Sequence, residues 1–278
     1  MSTTPASVSD RIVGLRAILR DLEHSAASPN RRDRIASGDE RLDGLLGGGL
    51  ACGGVHDIHA REAADSGAAT GFALAWAARA QRAAPGLPLV WITQAASRQE
   101  NGAPYGPGLA AHGLDPDALI IVRPVTVRES LWALEKALRA GASAAAIAEF
   151  EGLPGACDLT ASRRLLLAAQ TGGTPGLLLF IGKGGSATGA ASAAATRFVV
   201  SAQASREKWG TPGQAAWRVE IVKNRIGRTG ECSVEWDHDV AAFRPSQPVG
   251  SETVLRRRVS DPADGSAAAS RPALRRAG

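Results

Sequence analysis

The sequence predicts an α/β domain whose twisted sheet is mostly parallel and closes with antiparallel strands at its C-terminal end. Three observations predict it. Between Val55 and Ile181, short apolar runs alternate with helical segments, the pattern of repeated βαβ units. The later runs, Arg197 to Ala202, Trp217 to Lys223 and Ser233 to Trp236, follow one another with no helix between them, so they pair as antiparallel neighbours. The length, 278 residues with 44% hydrophobic content, is enough for one large core.

The elements follow in order. Residues 9–24 carry Ile12, Leu15, Leu19 and Leu22 at three- and four-residue spacing behind Ser9 or Asp10 as a cap, which predicts an amphipathic helix. It packs on its own core or on a partner. Asn30 to Arg34 reads as a polar linker. Val55 to His59 is a strand, Thr70 to Arg82 a helix, Leu87 to Thr93 a buried strand and Gly108 to His112 a short helix. Ala118 to Val122 is a strand. Ser130 to Ala140 is a helix capped near Thr126 or Ser130. Ala144 to Phe150 is a strand, Thr160 to Gln170 a helix and Gly176 to Ile181 a strand. Trp76, Trp91 and Trp132 read as core aromatics. Three regions result: residues 1–34 with the first helix and linker, a core domain over 35–244, and a tail over 245–278. The tail is Pro, Ser, Ala, Gly and Arg without periodicity, the composition of disorder.

Charge and cysteine content narrow the function classes. The net charge of +5 resides in the ends of the chain: the core carries 20 basic and 20 acidic residues. Residues 1–34 carry six basic against four acidic groups, and residues 245–278 six arginines against Glu252, Asp261 and Asp264. Such tails attract nucleic acid or are simply solvated. Cys52, Cys157 and Cys232 lie far apart, which argues against a disulfide framework. No apolar run has the length of a membrane span, and the N-terminus lacks the plan of a signal peptide. The expected location is the cytoplasm, with no membrane contact. Cys52, His56 and His59 do not form a metal site, because the histidines fall on opposite faces of a strand and no fourth ligand is near. No Ser–His–Asp or paired-carboxylate arrangement emerges from the spacing.

The candidate site lies after the first strand. The segments Ile35-Ala-Ser-Gly38, Leu42-Asp43, Gly47-Gly-Gly-Leu50 and Gly53-Gly-Val-His-Asp-Ile-His59 resemble the entry to a RecA-like core of the P-loop NTPase type. There a phosphate loop, G-x4-G-K-[ST], supplies backbone N–H groups, a lysine and a magnesium-binding hydroxyl. The matching stretch begins at Glu62 and keeps Gly67, but the lysine position is Ala68 and the hydroxyl position Ala69. Thr70 supplies a hydroxyl only by slipping one residue, and Glu62 and Asp65 bring negative charge. The resemblance places Ala95 where the water-activating glutamate sits, Glu149 at the Walker B aspartate and Lys183 at the phosphate-sensing glutamine. It therefore implies a degenerate P-loop, no cofactor and no catalytic residue. Arg218-Val-Glu-Ile-Val-Lys-Asn-Arg-Ile226 resembles the RecA strand whose two basic residues reach the nucleotide of an adjacent protomer; Lys223 and Arg225 hold those positions. The alternative is a solvated strand end.

Residues 35–244 as a whole resemble the ImuA family of RecA-like mutagenesis accessory proteins. The carrying residues are Val55-His-Asp-Ile58, Tyr105-Gly-Pro-Gly-Leu109, Leu131-Trp-Ala-Leu-Glu135, Asp158-Leu-Thr-Ala-Ser-Arg-Arg-Leu165, Trp217-Arg-Val-Glu220 and the late Val-Glu-Trp236-Asp. The resemblance implies a non-enzymatic role in damage-induced (SOS) translesion synthesis. The partners it implies are RecA, an inactive Y-family polymerase-like protein of the mutasome and an error-prone replicative-type DNA polymerase. The stretch Gly182-Lys-Gly-Gly-Ser-Ala-Thr-Gly189 sits where RecA places a mobile DNA-binding loop. It lacks an aromatic for base stacking, so weak direct DNA contact or a plain surface loop are the two readings. Arg163 and Arg164 are either helix-surface salt bridges or contacts to DNA or a partner; Arg206 and Lys208 read as solvated. Two other functions remain open on sequence alone: a working ATPase with an atypical phosphate loop, and a cell-division regulator.

Overall fold

The structure, a computed structural model, describes residues 33–94, 102, 104–182, 191–205 and 213–246. The expected helix over 9–24, Ala95, Lys183 and the stretch to 189, Arg206, Lys208 and the tail beyond 246 lie outside the described residues. Eleven strands and five helices are described. They are β1 (Arg34–Ile35), α1 (Glu40–Leu46), β2 (Leu50–Ala51), β3 (Val55–Ala60), α2 (Ser66–Ala83), β4 (Leu89–Ile92), α3 (Gly106–Ala111) and β5 (Leu119–Val122). Then come α4 (Val127–Ala140), β6 (Ala145–Glu151), α5 (Leu159–Gly172), β7 (Gly176–Ile181), β8 (Thr196–Ala202), β9 (Ala216–Asn224), β10 (Gly230–Asp237) and β11 (Ala242–Pro245).

Nine strands form one mixed sheet in the order β11-β10-β9-β8-β3-β7-β6-β4-β5. The pairings from β8 to β5 are parallel, and those joining β8, β9, β10 and β11 are antiparallel. The expected α/β class and the switch to antiparallel pairing are both present. β3 is buried at every position, because helices cover both of its faces. On one side α2 presses Phe72 and Trp76 into a cluster with Phe198, Trp217 and Phe243, with ring centroids 5.1 to 6.4 Å apart. On the other side α4 and α5 bury Leu134, Leu138 and Leu165 against Val55, Ala148 and Phe180.

Local chemistry sets the helix ends. Thr126 accepts the Glu129 N–H while the Glu129 side chain returns to the Thr126 N–H, a capping box worth about 1 kcal/mol. Asp158 caps α5 through the Ala161 N–H at 2.7 Å. Gly172 allows α4 and α5 to touch: a Cβ there would sit 1.9 Å from the Leu138 carbonyl oxygen. Helix α2 begins at Ser66, a full turn before the Thr70 expected from the apolar pattern, because its first residues are small and polar.

Three features depart from expectation. Helix α1, capped by Asp39 through the Leu42 N–H, spans seven residues, too few for a periodicity to register. Strands β1 and β2 pair over two residues each, and β11 is four residues long. Trp132 is not a core aromatic: it is 60% exposed on α4, whereas Trp76 is fully buried and Trp91 nearly so. The buried stripe of α4 runs through Ser130, Leu134 and Leu138, and Trp132 falls on the opposite side of the helix. No described helix is long and apolar enough to cross a membrane.

Candidate functional site

The chain leaves β3 at Ala60 and enters α2 at Ser66 through a tight 3-10 turn over Ala63–Asp65. Two of the turn's N–H groups are spent within it. The Asp65 N–H donates to the Glu62 carbonyl at 2.9 Å, and the Ser66 N–H donates to Ala63. The Ser66 hydroxyl donates to the Ala63 carbonyl at 2.7 Å and accepts the Gly182 N–H at 3.0 Å. The Asp65 carboxylate accepts the Ala202 N–H at 2.9 Å, which staples the turn to the end of β8. A phosphate-binding loop needs such N–H groups pointing outward.

The side chains around the turn are acidic or inert. Glu62 is exposed and Asp65 half-buried. Glu149 is buried on β6, two positions after Ile147 and so on the α2 side of the sheet. Glu151 lies against Gly182, where an added Cβ would stand 1.7 Å from Oε1; with φ of +77°, Gly182 is the residue that permits this contact. The neighbouring cation, Arg61, pairs with Glu220 at 2.6 Å. Ala68 is half-buried and Ala69 is fully buried in the α2 core cluster, so its side chain faces protein and not the turn. Gly67 is exposed, and a Cβ on it would meet nothing within 4 Å. The Thr70 hydroxyl donates back to the Ser66 carbonyl at 2.9 Å, the ordinary use of a mid-helix threonine.

Lys223 and Arg225 are separated by burial. The Lys223 ammonium turns inward and donates to the Ser192 carbonyl, while Arg225 is exposed. Burial pushes the Lys223 amine below its ordinary range, the Arg225 charge adds to that, and Asp57 opposes it. Asn224, between them, is a clamp. Its amide donates to the Leu45 carbonyl at 3.0 Å and its oxygen accepts the N–H groups of Ile226 and Gly227. The Lys-Asn-Arg run is therefore in part a turn that locks β9 onto α1.

Behind Lys223 lies a buried ion pair that the sequence reading missed. Arg197 donates through Nε and Nη2 to the Asp57 Oδ2 at 3.1 and 3.0 Å, with both side chains almost wholly buried. Burial pushes the Asp57 carboxyl above its ordinary value, and the facing guanidinium pulls it back. The pair borders a cavity of about 10 Å³ lined also by His59, Cys157 and Ser192, room for no more than one water. His59 stacks on Phe180 with centroids 4.5 Å apart, and burial pushes its imidazole down to about 3. His56 points to the other face and meets the Ala51 carbonyl at 3.0 Å, so the two histidines do not converge. The available signal was an acidic residue, Asp57, in the middle of the strand Val55–Ala60; a buried carboxylate demands a partner.

Arg164 reaches Glu135 on α4 at 2.5 Å, and Arg139 holds the same carboxylate at 3.0 Å. Arg163 is exposed. Arg164 thus takes the salt-bridge reading, and Arg163 faces solvent.

The chain matches no family model. It is similar to Protein ImuA of Caulobacter vibrioides, in both strain NA1000 / CB15N and strain ATCC 19089 / CIP 103742 / CB 15. Each is 33% identical over 211 residues, spanning 70% of this chain and 80% of the relative. Identity at that level over four fifths of the relative means that this chain belongs to the ImuA family.

Proposed function

We propose that this chain is a non-enzymatic accessory protein of DNA-damage-induced mutagenesis, built on a RecA-like core whose phosphate loop has degenerated. The turn after β3 carries this reading: its Asp65 and Ser66 N–H groups are spent internally, its lysine position is Ala68, and four carboxylates, Glu62, Asp65, Glu149 and Glu151, lie on its side of the sheet. Losing two charge-assisted phosphate contacts costs roughly 1.5–3 kcal/mol each, or about two to four decades of affinity. Nearby carboxylates lower it further. The strand order, parallel pairings followed by antiparallel ones, supports the RecA-like reading, and membership of the ImuA family supports the mutagenesis role.

In this reading the 35–244 core joins RecA or the translesion assembly through its surface, with RecA, a Y-family polymerase-like protein and an error-prone polymerase as partners. Arg225 is the exposed half of the pair expected to reach a neighbouring nucleotide; Lys223 joins it by releasing Ser192. A protomer that donates these cations but offers no site of its own would cap a RecA filament at one end. Electron microscopy of RecA filaments formed with the purified protein tests this. Shorter filaments with the wild type and normal ones with Lys223→Ala plus Arg225→Ala are the expected result. Filament lengths that the double substitution leaves unchanged would contradict the capping model. Absence of RecA and the polymerase-like partner from complexes purified out of damaged cells would contradict the accessory role.

A further inference from the structure

The outer face of the α4–α5 pair combines exposed apolar side chains with exposed cations. Its two largest apolar side chains are displayed: Trp132 is 60% and Leu167 61% exposed. They flank the ion pair that joins the two helices. Trp132 lies one turn before Glu135 on α4, Glu135 bridges to Arg164 on α5, and Leu167 lies one turn beyond Arg164. The helices are also cationic, with Arg128, Lys136 and Arg139 on α4 and Arg163 and Arg164 on α5, five basic groups against Glu129 and Glu135. Both carboxylates are committed. Glu129 accepts the cap N–H groups of Val125 and Thr126, and Glu135 is shared by Arg139 and Arg164. Among the described residues Arg128 and Arg163 have no carboxylate in contact, and Lys136 lies 5.7 Å from the Trp132 ring centroid.

We propose that this face docks an acidic amphipathic segment of another protein that lays apolar side chains on Trp132 and Leu167 and its carboxylates against the cations around them. An exposed tryptophan and an exposed leucine ringed by arginines have the make-up of a protein interface, with an apolar anchor inside a charged rim. The unneutralised cations select the sign of the partner's charge. Single-stranded nucleic acid fits less well. Leu167 has no face on which a base can stack, and Lys136 already covers one side of the Trp132 ring. The chain's own C-terminal tail, with six arginines against three acidic groups, carries the wrong sign. A second copy docked face to face would oppose like charges.

Fluorescence polarisation on the full chain tests this with a labelled acidic amphipathic helix, glutamate on one face and leucine on the other. The comparators are the same peptide with lysine for glutamate, the same peptide with serine for leucine, and oligo-dT. The acidic amphipathic peptide is expected to bind at least about tenfold more tightly than any comparator. Trp132→Ala, and separately Arg163→Glu with Arg164→Glu, are each expected to weaken it about tenfold or more with the wild-type unfolding curve preserved. Leu167→Ser gives the same readout should either variant fold poorly. No binding of the acidic peptide, binding that these substitutions leave unchanged, or oligo-dT matching the acidic peptide would each overturn the proposal.

Discussion

The two sides of the central sheet are covered in different ways. On the α2 side the long helix α2 packs under aromatic rings beside leucines of α1 and α3, and the turn that leads into it carries carboxylates and ties its Asp65 and Ser66 N–H groups to its own chain. On the α4–α5 side the helices are amphipathic, bury leucines against the sheet and turn a tryptophan and five cations outward. Behind them stands a buried Asp57–Arg197 pair, with His59, Cys157 and Ser192 beside it. The side on which phosphate chemistry is expected is thus closed and negative. The side with no assigned chemistry is open and positive. The proposed loss of a nucleotide site and the proposed protein-binding face are compatible in one fold, because the sheet separates the two layers.

The contrast is sharpest in two tryptophans. Trp76→Ala is expected to cost about 3–5 kcal/mol, read by urea denaturation, since Trp76 is fully buried against Phe72 and Phe243. Arg197→Ala is expected to fall in the same range, about 3–5 kcal/mol, because it leaves a carboxylate buried without its partner. The double change Asp57→Leu with Arg197→Met should recover most of that loss. A single change as harmless as the double one would break the view that the α4–α5 layer depends on a matched pair. Gly172→Ala is next, about 1–3 kcal/mol by overpacking, as its methyl would collide with the Leu138 carbonyl.

The buried histidines add a pH dependence. Burial depresses His59 to about 3 and His56 to about 4, from an ordinary 6.5. The unfolded chain therefore binds more protons than the folded one below 6.5. Their contribution to stability is complete above pH 6.5 and is lost as pH falls toward the folded values. Unfolding midpoints measured from pH 7 down to pH 4, a window bounded by these pKa values, should decline, and His59→Phe should flatten the decline. The smallest expected effect is that of Trp132→Ala, within about 0.5 kcal/mol of wild type. A large loss there would return Trp132 to the core.

Much of this architecture was legible in the sequence. The strand at Gly176–Ile181 was read to the residue, and most of the other long elements agree within a residue or two, because βαβ alternation carries a strong apolar signal. Short elements such as Glu40–Leu46 and the two-residue strands were silent, since hydrogen bonds and Asp39 hold them and periodicity does not. Residue type alone points Trp132 to the core, but helical phase decides: the Leu134–Leu138 stripe excludes it. At the site, the side-chain identities at Glu62, Ala68 and Ala69 were visible. The inward turn of Lys223, the Asn224 clamp and the partner of Asp57 depend on contacts between distant strands, which no local pattern encodes.

The central claim is that the turn from β3 to α2 does not hold a nucleotide. Isothermal titration of the purified full chain with ATP, with and without magnesium, measures this directly. The account predicts no saturable heat at millimolar ATP and no dependence on magnesium. Micromolar, magnesium-dependent binding that Glu62→Lys or Ser66→Ala alters would contradict it, and would make this chain a working member of the class it resembles.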